Sequence, residues 1–121
     1  MTTALVIDDN KQTTDALVHM LRFWDIAARP ALGPGAAMTI LREDTPDIVF
    51  LDLNMPGVNG FEILSYLRRE PRLAGVPVIV VTSDDQPETG ERALKEGARV
   101  VVLKPVMLDI LEAALKKIGM L

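Results

Sequence analysis

The stretch Ile48-Val49-Phe50-Leu51-Asp52 places four large apolar residues directly before an acid. A run this short, partly β-branched and without polar alternation, predicts a strand covered on both faces, as in a parallel sheet packed between helices. Three more runs share this character: Ala4 to Ile7, Val76 to Val81 and Val100 to Leu103. A weaker one, Ile26 to Ala31, predicts a fifth strand near an edge. Between the runs lie segments with helical spacing, such as Leu17, Leu21 and Trp24, or Phe61, Leu64 and Leu67, each placing apolar side chains on one face. Pro34 suits a first helical turn, and Gly97 and Gly119 suit helix ends. Five βα units in series predict an α/β fold, an open doubly wound sandwich with right-handed crossovers across residues 1–121.

In such sheets functional groups gather beyond the carboxyl ends of the strands. Those ends carry Asp8 and Asp9 after the first run, Asp52 after the third, Thr82 after the fourth and Lys104 after the fifth. Three converging acids repel one another unless protons or a cation neutralise them. Oxygen ligands with room for water and for phosphate oxygens suit Mg²⁺. The Asp52 carboxylate is then a candidate nucleophile toward phosphorus. Lys104 would supply positive charge for phosphoryl oxygens, and the Thr82 hydroxyl would donate a hydrogen bond to one of them. If Asp8 and Asp9 did no more than cap the following helix, Asp52 and Lys104 would be left without a role.

A chain of 121 residues, 49% of them hydrophobic, can bury a core without covalent staples. With no cysteine there is neither a disulfide nor a thiolate metal site, so a metal must be held by oxygen or by His19. His19 falls in the first helical segment and reads as a partly exposed helix residue, not as a phosphotransfer histidine. A net charge of -4 with scattered basic residues argues against a nucleic-acid surface. The N-terminus has no leader pattern, and no apolar run approaches the roughly 18 residues of a membrane span. A soluble cytoplasmic protein is the expectation.

Four motifs occur in order, each at a predicted strand end: VIDDN (Val6 to Asn10), FLDLNMPGVNG (Phe50 to Gly60), VIVVTS (Val78 to Ser83) and VLKP (Val102 to Pro105). Together they resemble the receiver domains of two-component response regulators, and the single-domain chemotaxis-type receivers in particular, over the whole chain. The resemblance implies a flavodoxin-like (βα)5 fold with a five-stranded parallel sheet of order 2-1-3-4-5. It implies that Asp52 accepts a phosphoryl group from a histidine kinase or phosphotransfer protein. It also implies that Asp8, Asp9, Asp52 and the backbone carbonyl of Asn54 hold Mg²⁺. Thr82 and Lys104 would sense the phosphoryl group, the hydroxyl moving inward once it is present. A cis Lys104–Pro105 bond belongs to the same pattern. So does a switch that assists its own phosphorylation and dephosphorylation without being an enzyme, either monomeric or dimerising on phosphorylation.

Related receivers often carry Tyr, Phe or His where this chain has Val101, and alanine or glycine where it has Ser83. A valine cannot swing as a ring does, so the usual aromatic coupling to Thr82 is not expected here. Serine should reduce access to the site only slightly. The last segment has two apolar stripes, Leu108, Leu111, Leu115 and Ile118 beside Met107, Ile110 and Ala114. One stripe suffices for a core. The expected partner surface is therefore the face of the fourth helix, fifth strand and fifth helix around Arg92, Glu96, Val101, Ile110 and Ala114, read by a downstream protein.

Two other classes fit less well. A phosphohydrolase of the haloacid dehalogenase type also forms an aspartyl phosphate, but typically shows DxD, and here Asp52 is followed by Leu53 and Asn54. The second acid that would act as general acid and base is missing. A flavin carrier of flavodoxin type needs a phosphate-cradling loop where Asp8 and Asp9 stand, and carboxylates there would repel the phosphate. The chain reads as a self-sufficient receiver, the alternative being a receiver excised from a multidomain regulator or hybrid kinase.

Overall fold

A computed structural model describes residues 1–121. Five parallel strands form one sheet: β1 (Thr3–Ile7), β2 (Ala27–Ala31), β3 (Ile48–Leu51), β4 (Val78–Thr82) and β5 (Val100–Leu103). Their order is β2-β1-β3-β4-β5, the flavodoxin-like 2-1-3-4-5 arrangement. Five helices connect or follow them: α1 (Lys11–Leu21), α2 (Pro34–Glu43), α3 (Gly60–Arg69), α4 (Pro87–Lys95) and α5 (Leu108–Lys117).

Each apolar run lacks alternation because both of its faces are buried. Leu5, Ile7, Val49, Leu51, Val78 and Val80 pack with Ala37 and Leu41 of α2, Leu64 and Leu67 of α3 and Ala93 of α4. The intervening residues Ala4, Val6, Ile48, Phe50, Ile79 and Val81 pack with Leu17 and Leu21 of α1 and with Leu111, Ala114 and Leu115 of α5. The sheet is thus covered by three helices on one side and two on the other. Strand β2 is weak in sequence because it is an edge: it pairs only with β1, and Pro30 can sit there since no second neighbour needs its N–H.

Local chemistry sets the helix ends. Asn10, not Asp8 or Asp9, caps α1, its side chain accepting the Thr13 N–H at 3.1 Å. Pro34 and Pro87 occupy first turns, and Gly97 and Gly119 follow α4 and α5 with positive φ. Helix α1 ends at Leu21, and Trp24 lies in a separate short 3₁₀ turn, Arg22–Trp24. His19 is exposed on α1.

The fifth helix divides its apolar residues differently from the two-stripe expectation. Ala114 is buried at 3% exposure beside Leu111 and Leu115, whereas Leu108 is 41% exposed. At 3.6 residues per turn the buried arc runs through Leu111, Ala114, Leu115 and Ile118, and Leu108 and Ile110 flank it on opposite sides. Ala114 therefore belongs to the core and not to a partner surface; its small side chain faces the sheet. Met107 and Ile110 remain exposed, at 59% and 47%.

After β3 the chain folds back through a two-residue ribbon, Asn54–Met55 against Val58–Asn59, before α3 begins. Gly60 lies against this turn so closely that a Cβ would sit 2.5 Å from Leu53 Cα and 2.8 Å from the Asp52 carbonyl oxygen. Both are backbone atoms and cannot rotate away. Gly60→Ala is expected to destabilise the fold by about 1–3 kcal/mol, the usual range for overpacking, in urea unfolding. An unchanged midpoint would show that the turn gives way freely.

Candidate functional site

The carboxyl ends of β1, β3, β4 and β5 bring the sequence-derived residues to one edge of the sheet. Asp8 follows β1 and Asp52 follows β3, and both are buried, at 2% and 3% exposure, while Asp9 is exposed. Asp8 Oδ1 accepts the Asn10 N–H at 3.0 Å, and Asp52 Oδ1 accepts the Asn54 N–H at 3.1 Å. Each carboxylate is thereby oriented by the backbone two residues on. Carboxylate oxygens of Asp8, Asp9 and Asp52 lie within 4.8 Å of one another.

Lys104 reaches this cluster from beyond β5. Its Nζ is 2.8 Å from Asp8 Oδ2 and 3.5 Å from Asp52 Oδ2. The Lys104–Pro105 peptide is cis. Burial raises the pKa of the Asp52 carboxyl, and the nearby Asp8 raises it further, while the Asn54 N–H and Lys104 pull it back only in part. Burial works against the Lys104 ammonium, but the carboxylates of Asp8 and Asp52 outweigh it and raise its pKa. One ammonium shared between two buried acids cannot neutralise both.

Three carboxylates and one ammonium leave two formal negative charges in a small oxygen-lined space. That charge, and the absence of nitrogen or sulfur donors, fits a hard divalent cation. Asp9, being exposed, would exchange its hydration for the cation, whereas Asp8 and Asp52 are already desolvated.

Thr82, the last residue of β4, is fully buried, and its Oγ1 accepts two hydrogen bonds, from Asn54 Nδ2 at 3.0 Å and from the Asp84 N–H at 3.1 Å. The Asn54 side chain and Asp84 were not among the groups singled out from sequence. Asp84 precedes α4 and accepts from the Gln86 N–H at 3.0 Å and the Thr89 hydroxyl at 2.7 Å, bonds that hold its carboxyl below the usual range. Its local signal was an acid shortly before Pro87. The role of the Asn54 amide had no local signal, because Asn54 and Thr82 stand 28 positions apart.

On the flank of the site, Arg92 of α4 is exposed, pairs with Glu96 and places its guanidinium 3.8 Å over the Phe61 ring. Val101 is half-buried and packs on the α2–α4 side. A groove of about 370 Å³ runs between α1 and the segment after β5, lined by Asn10, Thr13, Met20, Lys104 and Val106 among others. No helix is long and apolar enough to cross a membrane.

Among known proteins, PilH of Pseudomonas aeruginosa is 32% identical over 106 residues, covering 88% of each chain. The DNA-binding response regulator MtrA of Mycolicibacterium smegmatis is 36% identical over 104 residues, which are 84% of this chain and 43% of MtrA. The chain thus spans most of PilH but less than half of MtrA. The crystal structure of the signal receiver domain of a DNA-binding response regulator from Colwellia psychrerythraea is similar with a TM-score of 0.89, at 30% identity and 98% coverage of both chains. The response regulator receiver domain pattern matches residues 4–116. With its acidic cluster, lysine and threonine at the strand ends of a 2-1-3-4-5 sheet, the chain belongs to the response regulator receiver family.

Proposed function

We propose that this receiver is a divalent-cation-dependent switch that accepts a phosphoryl group on Asp52 from a phosphohistidine of a histidine kinase or phosphotransfer protein. The observation that carries the reading is the buried Asp52 carboxylate facing Lys104 within a cluster of net charge minus two. Mg²⁺, bound by Asp8, Asp9, Asp52 and the backbone carbonyl of Asn54, would neutralise that charge and shield the phosphoryl oxygens as they approach.

The rest is done by the chain. A carboxylate oxygen of Asp52, oriented by the Asn54 N–H, forms the new O–P bond while the N–P bond to the donor imidazole breaks, and the electron pair leaves with that nitrogen. Lys104 attracts the phosphoryl oxygens, and Thr82 donates to one of them. The groove beside α1 lies next to Lys104 and offers the donor a docking surface. The protein acts as a switch and not as a turnover enzyme: DxD is lacking, so the acid that would stand two residues after the nucleophile as general acid and base is replaced by Asn54. Incubation with a small acyl phosphate and Mg²⁺ tests the reading. One phosphoryl group should appear on Asp52, without sustained hydrolysis of simple phosphate esters.

The output surface we favour is the α4–β5–α5 face, where Arg92, Met107 and Ile110 are exposed and Glu96 and Val101 partly so, with Ala114 excluded by its burial. Arg92→Glu should weaken capture of the downstream partner without altering Asp52 labelling. Unchanged partner binding would move the output elsewhere, with α1 the next candidate.

A further inference from the structure

Thr82 is held from two sides. Asn54 Nδ2 and the Asp84 N–H both donate to its Oγ1, at 3.0 and 3.1 Å, which occupies both lone pairs of the hydroxyl oxygen. Only the hydroxyl proton is then free for a phosphoryl oxygen. Each donor is anchored by a further bond of its own. Asn54 is tied to Asp52 through its own N–H at 3.1 Å. Asp84 is tied into the first turn of α4 through Gln86 and Thr89, at 3.0 and 2.7 Å. A shift of Thr82 toward Asp52 therefore stretches both bonds and pulls on the start of α4.

We propose that the side-chain amide of Asn54 is a positioning group that clamps Thr82 in the unphosphorylated arrangement and so sets the free-energy gap the phosphoryl group must overcome. This rests on the phosphoacceptor reading of Asp52. It gives Asn54 a second role, through its side chain, beside the one assigned to its backbone carbonyl. The clamp joins Asp52 to α4 along Asn54, Thr82 and Asp84, a route that needs no aromatic at Val101. A group that stabilises only the off arrangement shifts the switch by its differential contact and by no more.

The test uses beryllofluoride at saturating Mg²⁺ as the phosphoryl mimic on the full chain. Its affinity is measured for Asn54→Leu and Asn54→Ala, each with Thr82 intact and with Thr82→Ala. Asn54 is exposed, so these replacements leave the core untouched. With Thr82 intact, losing one net hydrogen bond from the off state should tighten the mimic about five-fold, equivalent to about 1 kcal/mol. In the Thr82→Ala background the same replacements should change nothing. Backbone resonances of Gln86 and Thr89 in the free variants should move part of the way toward their mimic-bound positions. Unchanged or weaker affinity with Thr82 intact overturns the proposal. So does an equal gain in both backgrounds, which would place the effect at the cation or at access to the site. If the wild type fails to bind the mimic, the phosphoacceptor reading itself falls and takes this one with it. If it binds and the variants match it, only the Asn54 role is lost.

Discussion

Asp52→Asn is expected to abolish covalent labelling by a small acyl phosphate and, at the same time, to stabilise the cation-free fold. The first effect follows from the nucleophile: an amide oxygen in place of a carboxylate does not form an O–P bond, and Asp8 stays engaged with Lys104 at 2.8 Å. Phosphoryl incorporation should fall to the level of the blank. The second effect follows from burial, which, with Asp8 beside it, raises the pKa of the Asp52 carboxyl above its ordinary value. Such a group binds its proton more tightly in the folded than in the unfolded chain. Its contribution to stability is fully present below the unfolded pKa and is lost as pH rises through the folded pKa. An amide has no such loss, so the variant should match the wild type in acid and exceed it by roughly 1 kcal/mol, a few degrees in Tm, at neutral pH without divalent cation. The new side-chain carbonyl would still accept the Asn54 N–H in place of the Asp52 carboxylate. Labelling at the wild-type level, or a stability difference that ignores pH, would remove Asp52 from its assigned place.

Mg²⁺ should stabilise the wild type strongly, and Asp9→Ala should lose most of that effect. A ligand that binds only the folded state adds about 2.7 kcal/mol at a hundred-fold excess over its dissociation constant, a rise on the order of 10 °C in Tm for a chain of this size. Asp9 is the informative position because it is exposed while Asp8 and Asp52 are buried. Its removal leaves the packing and the Lys104 pairs intact and takes away one negative charge from the cluster. The variant should therefore melt near the wild type without cation and respond little when Mg²⁺ is added. A full melting shift in Asp9→Ala would contradict the acidic cluster as the cation site.

Much of the architecture was legible from short-range pattern. The four unalternating runs are strands because a sheet covered on both sides demands apolar residues at every position. Their carboxyl ends then located Asp8, Asp52, Thr82 and Lys104 with no knowledge of distance, since in a parallel sheet those ends lie along one edge. The weak run at Ile26 to Ala31 became the edge strand β2, where a single neighbouring strand asks less of the side chains.

Other features depended on the third dimension. That Ala114 is core and Leu108 is exposed depends on how α5 is rotated against the sheet, which two adjacent apolar stripes leave undecided. That Asn10 caps α1 frees Asp8 for Lys104 and for the cluster, a division of labour that adjacent polar residues do not announce. Gly60 is required by the backbone of Asp52 and Leu53 passing within van der Waals range, a contact made only when the turn closes. The pairing of Asn54 with Thr82 joins two strands' ends across 28 residues. The strands, their helices and the chemical types gathered at one edge were legible in the chain alone, because periodicity and turn residues are local properties. Which of those groups touch emerges on folding, since hydrogen bonds and close packing need distances set to within a few tenths of an ångström between segments that meet only in the folded chain.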